Sequence, residues 1–203
     1  MNKLASIEFL HELGLPTINP RIIYSTDEKK IRKSVDSFYY DFPPGWALRC
    51  AELPDKKGKV ERGLPWAMTN GKENLVKKII EIQKQVKGKY VVFCHEVKEM
   101  ERGAIMLIEG NRIVVEAGKG NPKELSDMFR GYRSPEQRLI FRPGMLSLDY
   151  KDGQEVLSRE DLFDARCIER NFDYKKLGAI INPVAVEFSK TKTGLYVHDV
   201  SIN

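Results

Sequence analysis

The segment GAIMLIEGNRIVVEA, residues 103–117, constrains this chain more than any other stretch. Two apolar runs, 103–108 and 112–117, flank Gly110-Asn111, and such a pair between such runs reads as a tight hairpin turn. A second hairpin closes the sequence as VAVEFSKTKTGLYVHDVSIN, from Val184 to Asn203. Hairpins pair their strands antiparallel, and helical segments interleave with them along the chain, so the expected class is α+β.

The helical segments have clear edges. Leu4, Ile7, Leu10 and Leu13 recur at helical spacing, with Gly14 as a stop and Pro16 beyond it. PRIIYS is a short strand. Ser25 and Thr26 are candidate N-caps for a helix through Phe38, whose inner stripe is Ile31, Val35 and Phe38. WALRCA around Arg49 and KYVVFCHEV are strands, and Leu75, Ile79, Ile82 and Val86 mark a helix between them. Asn121 caps a helix with Pro122 in its first turn. A turn is expected at Lys151–Gly153. Ser158 and Asp161 have the spacing of a capping pair for a helix near 158–170.

The 203 residues fit one large domain or two small lobes, and 41% hydrophobic residues are enough to bury a core. No apolar run approaches the roughly 20 residues of a membrane span, and Glu8, His11 and Glu12 break the N-terminal segment against a signal peptide. Cys50, Cys94 and Cys167 are widely spaced within apolar stretches. They read as buried free thiols in a reducing cytoplasm. The formal charge of +5 is spread without a block of like sign, which gives no basic tail for nucleic acid.

The closing hairpin poses a chemical question. With a turn across Lys190–Gly194, alternation puts His198, Val200 and Ile202 on one side of the last strand, and Asp199, Ser201 and Asn203 on the other. Antiparallel pairing then sets Glu187 beside Val197 or Asp199, with Val186, Phe188, Val200 and Ile202 as an apolar layer behind. Two carboxylates at close quarters repel unless protonated or bridged by a cation, and such hard oxygen donors with an amide suit Mg²⁺. A half-exposed hairpin with a solvated outer face accounts for the same pattern.

The order of features resembles the nucleotide-binding half of ATP-grasp proteins. LASIEFLHELGLPTINPRIIYSTDEKKIRKSV is similar to their opening helix, proline turn, strand and helix, and WALRCAE to the strand that carries a basic residue. VERGLPWAMTNGKENL stands in place of the mobile phosphate-covering loop, closest in flavour to phosphoenolpyruvate synthase and pyruvate phosphate dikinase. YVVFCHEV resembles the hinge strand, and the final hairpin the metal-binding strand pair. The resemblance implies two lobes, each with a mostly antiparallel sheet and helices, and a nucleotide cleft between them. Residues 20–95 would form the smaller lobe; 1–19 and 96–203 would form the larger.

The implied cofactors are ATP and Mg²⁺. Arg49 would meet a phosphate, although a strand-end arginine in a surface ion pair is an equal reading. Arg62, Gly63 and Thr69 would cover phosphate, unless the loop is a plain surface loop with Trp66 tucked into the core. The backbone of Glu96 and Val97 would face adenine and Glu101 the ribose, while Glu187, Asp199 and Asn203 would hold the metal. Gly118-Lys119-Gly120 before Asn121 can hold an anion or simply end a hairpin.

The implied activity is phosphoryl transfer or ligation on an unknown acceptor, as an ATP-dependent ligase or phosphotransferase. Ser201 stands where the family pattern has Asn, and no substrate domain or swivelling phosphohistidine domain accompanies the unit. These departures suggest a catalytically degenerate regulatory module, or one served by a separate substrate-domain protein. RNA binding is a third possibility, from Arg130, Arg133, Arg138 and Arg142 with Tyr132 and Phe141, but Glu136 dilutes the patch and no RNA-binding motif accompanies it.

Overall fold

In the computed structural model, the order is α1 (Lys3–Glu12), β1 (Arg21–Ile23), α2 (Glu28–Phe38), β2 (Trp46–Ala51), β3 (Ala67–Thr69), α3 (Lys72–Val86), β4 (Val91–Glu96), β5 (Arg102–Glu109), β6 (Arg112–Lys119), α4 (Pro122–Phe129), β7 (Gln137–Phe141), β8 (Leu148–Gly153), α5 (Arg159–Arg170), β9 (Val184–Thr191) and β10 (Gly194–Ile202). The structure describes residues 2–40, 45–52, 63–86, 90–143, 148–172, 183–192 and 194–202.

The class is α+β with antiparallel sheets: one of four strands, β1-β4-β2-β3, and one of six, β10-β9-β5-β6-β7-β8. The chain divides into two compact units, Asn2–Ala5 with Ile18–Lys98, and Ser6–Thr17 with Glu99–Asn203.

In the smaller unit one sheet face packs on α2 and α3. Leu48, Cys50, Val92 and Cys94 meet Ile31, Val35, Leu75 and Ile79 there. Burial pushes the Cys50 thiol up to about 11 and the Cys94 thiol up to about 12, so both behave as inert core groups. All three cysteines are free; Cys167 is only partly buried. The N-cap of α2 is Asp27, whose Oδ1 accepts from the Lys30 N–H at 2.9 Å. Ser25 instead receives the Asp27 amide at 3.1 Å, so the cap falls just beyond the two residues the sequence suggests.

In the larger unit Gly110 turns with φ 54° and joins β5 to β6 in unbroken register, from Arg102↔Lys119 to Glu109↔Arg112. One face, with Met106, Val115, Leu139, Val186 and Phe188, packs on Leu10 of α1 and on Ala165 and Ile168 of α5. The opposite face approaches α4 at Gly103 and Gly118. A Cβ on Gly103 would stand 3.0 Å from Leu125 and Phe129, and one on Gly118 would stand 2.8 Å from the Met128 sulfur. Glycines at paired positions let the helix seat directly on the strands.

The capping pair expected at Ser158 and Asp161 is met in full. Ser158 caps α5 and Asp161 returns the bond, with Oδ2 accepting from the Ser158 N–H at 2.9 Å. Asp161 is fully buried, and Arg102 and Lys190 lie 3.1 and 3.2 Å from its oxygens. Three strands escape the sequence reading. β3 lies within VERGLPWAMTNGKENL, expected as a loop, β7 lies among the arginines from 130 to 142, and residues 151–153 continue strand β8 rather than turn. Trp66 is 58% exposed, not tucked into the core.

Candidate functional site

In the larger unit Asp199 stands directly opposite Glu187, and Glu187 opposite Ile105 on β5, on the face away from the core. Along β9 this row lies two residues, about 6.8 Å, from the row Ser189–Gly103–Gly118 beneath α4. Val186, Phe188 and Val200 form the apolar layer behind, each 1% exposed or less. Both carboxylates are half-buried.

The last strand departs from simple alternation. Its register shifts between Val197 and Asp199, a β-bulge at His198. Val197 and Val200, three apart, therefore both enter the core. His198 does not lie with Val200 on the opposite side, as unbroken alternation requires. Its Nε2 is 2.8 Å from the Ser189 hydroxyl, on the carboxylate face. The turn is also tighter than expected, with Thr191 paired to Gly194.

Ser6 of α1, fully buried, donates to Asp199 Oδ1 at 2.6 Å and accepts from the Val200 amide at 2.8 Å. That serine fixes the carboxylate's rotamer. Its only signal in the sequence is a polar side chain beside the apolar stripe of the first helix. Asn203 lies outside the described residues, and among those described no three His, Cys, Asp or Glu side chains gather as a metal cluster.

The smaller unit carries the other expected residues. Arg49 on β2 is exposed and opposite Phe93, on the sheet face away from α2 and α3, and Ala47 on that face is opposite His95. Gly63 is exposed with φ 80°; Thr69 ends β3 opposite Trp46. Arg62 lies outside the described residues. Glu96 ends β4, with its carboxylate 3.1 Å from Lys98. The Val97 N–H donates to the Gly45 carbonyl at 2.8 Å. In the larger unit, Glu101 is exposed and its amide donates to the Lys190 carbonyl at 3.1 Å.

His95 is 9% exposed, and burial, then the charges of Arg49 and Lys3, push its pKa down to about 4. The unfolded imidazole titrates near 6.5, so protonation favours the unfolded chain between those values. Stability of the smaller unit should be full above about pH 6.5 and fall by up to about 3 kcal/mol as pH drops toward 4. Urea titrations across that range check this, and His95→Gln should flatten the slope.

The α4 N-terminus is already served by its own side chains. Asn121 Oδ1 accepts from the Lys123 and Glu124 amides, and Glu124 accepts from the Asn121 amide. The arginines downstream are held individually. Arg133 bonds the Lys119 carbonyl and Glu136, Arg138 lies 3.4 Å from Glu116, and Arg142 lies 3.3 Å from Asp149. Phe141 is buried beneath the Arg166 guanidinium, 4.6 Å from its ring centre, while Tyr132 is 79% exposed.

No family model matches this sequence, and no curated protein does. Solved structures do. The carboxyaminoimidazole ribonucleotide synthase from Aspergillus clavatus complexed with ATP matches 98% of this chain with a TM-score of 0.56 at 12% identity. A RimK domain protein ATP-grasp from Sphaerobacter thermophilus matches 96% with a TM-score of 0.54 at 14% identity. The chain has an ATP-grasp fold. D-alanyl-alanine synthetase A from Vibrio cholerae gives 0.53 at 12% identity over 98% of the chain. This chain spans 43%, 55% and 54% of the lengths of those three proteins. The resemblance to phosphoenolpyruvate synthase gains no support from these ATP-grasp structures, which are synthetases and a RimK domain. Among the described residues, no helix is long and apolar enough to cross a membrane.

Proposed function

We propose that this chain binds Mg²⁺–ATP and supports ATP-dependent ligation. The observation that carries the reading is the register of the last hairpin, which opposes Asp199 to Glu187 on the non-core face. Like charges in directly opposed strand positions destabilise a sheet, and a divalent cation removes that penalty. Hard carboxylate oxygens, one set in a fixed rotamer by Ser6, suit Mg²⁺ completed by phosphate oxygens and water. When bound, the ion would neutralise phosphate charge and polarise the transferred group.

Arg49 would grip phosphate oxygens with its guanidinium fork, with Arg62, Gly63 and Thr69 covering them. Glu96 and Val97 would face adenine through their backbone, and Glu101 would bind ribose. Because the Val97 N–H already bonds Gly45, an adenine contact there requires exchanging that bond. Ser201, two residues after Asp199, would stand near the metal with Asn203. The synthase and synthetase names of the structural neighbours favour ligation over dikinase chemistry. The acceptor would be recognised with the help of a separate substrate-domain protein.

A second reading, nucleotide binding without turnover, draws on Ser201 in place of the family's Asn. Incubation with Mg²⁺, ATP and panels of carboxylic acids and amines separates the two. Ligation predicts ADP and phosphate release that requires an acceptor. Binding without cleavage under every acceptor would leave the regulatory module.

A further inference from the structure

We propose that His95 is a positioning residue for Arg49: when a polyphosphate draws Arg49 against the sheet, the bare Nε2 of His95 accepts a hydrogen bond from its guanidinium. The inference rests on the nucleotide reading above. His95 Nδ1 lies 2.9 Å from the Glu96 carbonyl oxygen, which can only accept, so Nδ1 carries the proton. The lone pair is therefore on Nε2. That nitrogen is buried and has no hydrogen-bond partner among the described residues.

The ring is held at a defined angle, stacked on Phe93 at 6.4 Å between centres and 27° between planes. A buried acceptor without a donor costs free energy, so the site favours any donor that reaches it. Arg49 is the diagonal neighbour of His95 across the β2–β4 pair, on the same face. Diagonal positions are about 7–8 Å apart, within reach of a long side chain. The charged groups acting on His95 are Arg49 of β2 and Lys3 of α1, and Arg49 has the larger effect. Both keep the imidazole neutral, so it remains an acceptor at pH 7. The same imidazole braces the Glu96 carbonyl, linking the proposed phosphate contact to the strand end proposed for adenine.

Two substitutions separate the halves of the ring. His95→Gln places an acceptor near the Nε2 position, and His95→Asn keeps only a donor near Nδ1. Each is made in the wild-type and Arg49→Gln backgrounds and checked for folding by circular dichroism. Binding of Mg²⁺–ATP and of inorganic tripolyphosphate is read by calorimetry, and the His95 Nε2 resonance by nitrogen-15 NMR at pH 7.

His95→Asn should weaken both ligands about tenfold and His95→Gln by less than about threefold, with no further loss once Arg49 is replaced. Tripolyphosphate should move the Nε2 resonance only when Arg49 is present. Equal losses in both backgrounds, or a resonance indifferent to Arg49, overturn the inference and leave nucleotide binding standing. If the wild type binds neither ligand, the nucleotide reading falls and the positioning role falls with it. In the ligand-free protein, Arg49→Gln should raise the His95 titration midpoint. An unmoved midpoint overturns the inference by itself.

Discussion

Glu187→Gln and Asp199→Asn are expected to make the metal-free protein more stable while removing its response to Mg²⁺ and nucleotide. Glu187 and Asp199 occupy directly opposed positions on β9 and β10. Neutralising either relieves a like-charge contact that costs up to about 1 kcal/mol, or a rise of about 2–4 °C in melting temperature for a chain of this size. Asparagine keeps an oxygen for the Ser6 hydroxyl, now 2.6 Å from Asp199, so the α1 contact survives. Mg²⁺–ATP affinity should fall about 100-fold, or ~2.7 kcal/mol, because a neutral amide is a poor ligand for a hard cation. Thermal melts with and without Mg²⁺ and ATP read both effects. A variant that melts no higher and keeps the full ligand-induced shift would return this face to the role of solvated surface.

The largest loss of stability is expected at Asp161. Its side chain is fully buried between Arg102 and Lys190, whose own side chains are 25% and 22% exposed, and it closes the α5 capping box. Burial alone would push this carboxyl up. The Ser158 amide and hydroxyl, then Lys190 and the charge of Arg102, outweigh burial and hold it below its usual value. Asp161→Ala leaves two poorly solvated cations without their counter-charge and α5 without its cap, a loss of about 3–5 kcal/mol. Asp161→Asn, which can keep the cap, should lose less.

The pH dependence separates this group from His95. A carboxyl with a depressed folded pKa contributes stability that is present above its unfolded value near 3.9 and disappears as pH falls through the folded value. The His95 loss comes earlier, between about pH 6.5 and 4, and belongs to the smaller unit. Urea unfolding of wild type and both Asp161 variants at pH 7 and pH 3 checks this, with the wild-type advantage shrinking at the lower pH.

Local chemistry made much of this fold readable. Gly110-Asn111, the Asn121-Pro122 start and the Ser158/Asp161 pair each specify their geometry within a few residues. The facing of Glu187 and Asp199 was legible only as one of two options, because the bulge at His198 decides it: the register that pairs Gly194 with Thr191 would otherwise set Glu187 opposite His198. The strands β3, β7 and β8 were not read. Every residue of β8 is exposed, so LDYKDG has no buried face to impose a pattern. The side taken by His198 depended on a bulge, which displaces alternation by one residue without a compositional mark. Ser6 bonds a residue 193 positions away, a separation that no local pattern encodes. The His95 environment was likewise illegible, because Phe93, Arg49 and Lys3 meet it only through sheet pairing and tertiary packing.

Calorimetric titration of the wild-type protein with ATP, in excess Mg²⁺ and again in excess chelator, tests the central claim most directly. The opposed carboxylates predict saturable binding with a dissociation constant on the order of micromolar with Mg²⁺, weakened at least about tenfold by the chelator. No heat at millimolar ATP with Mg²⁺ present, or equal affinity with and without the metal, would contradict it.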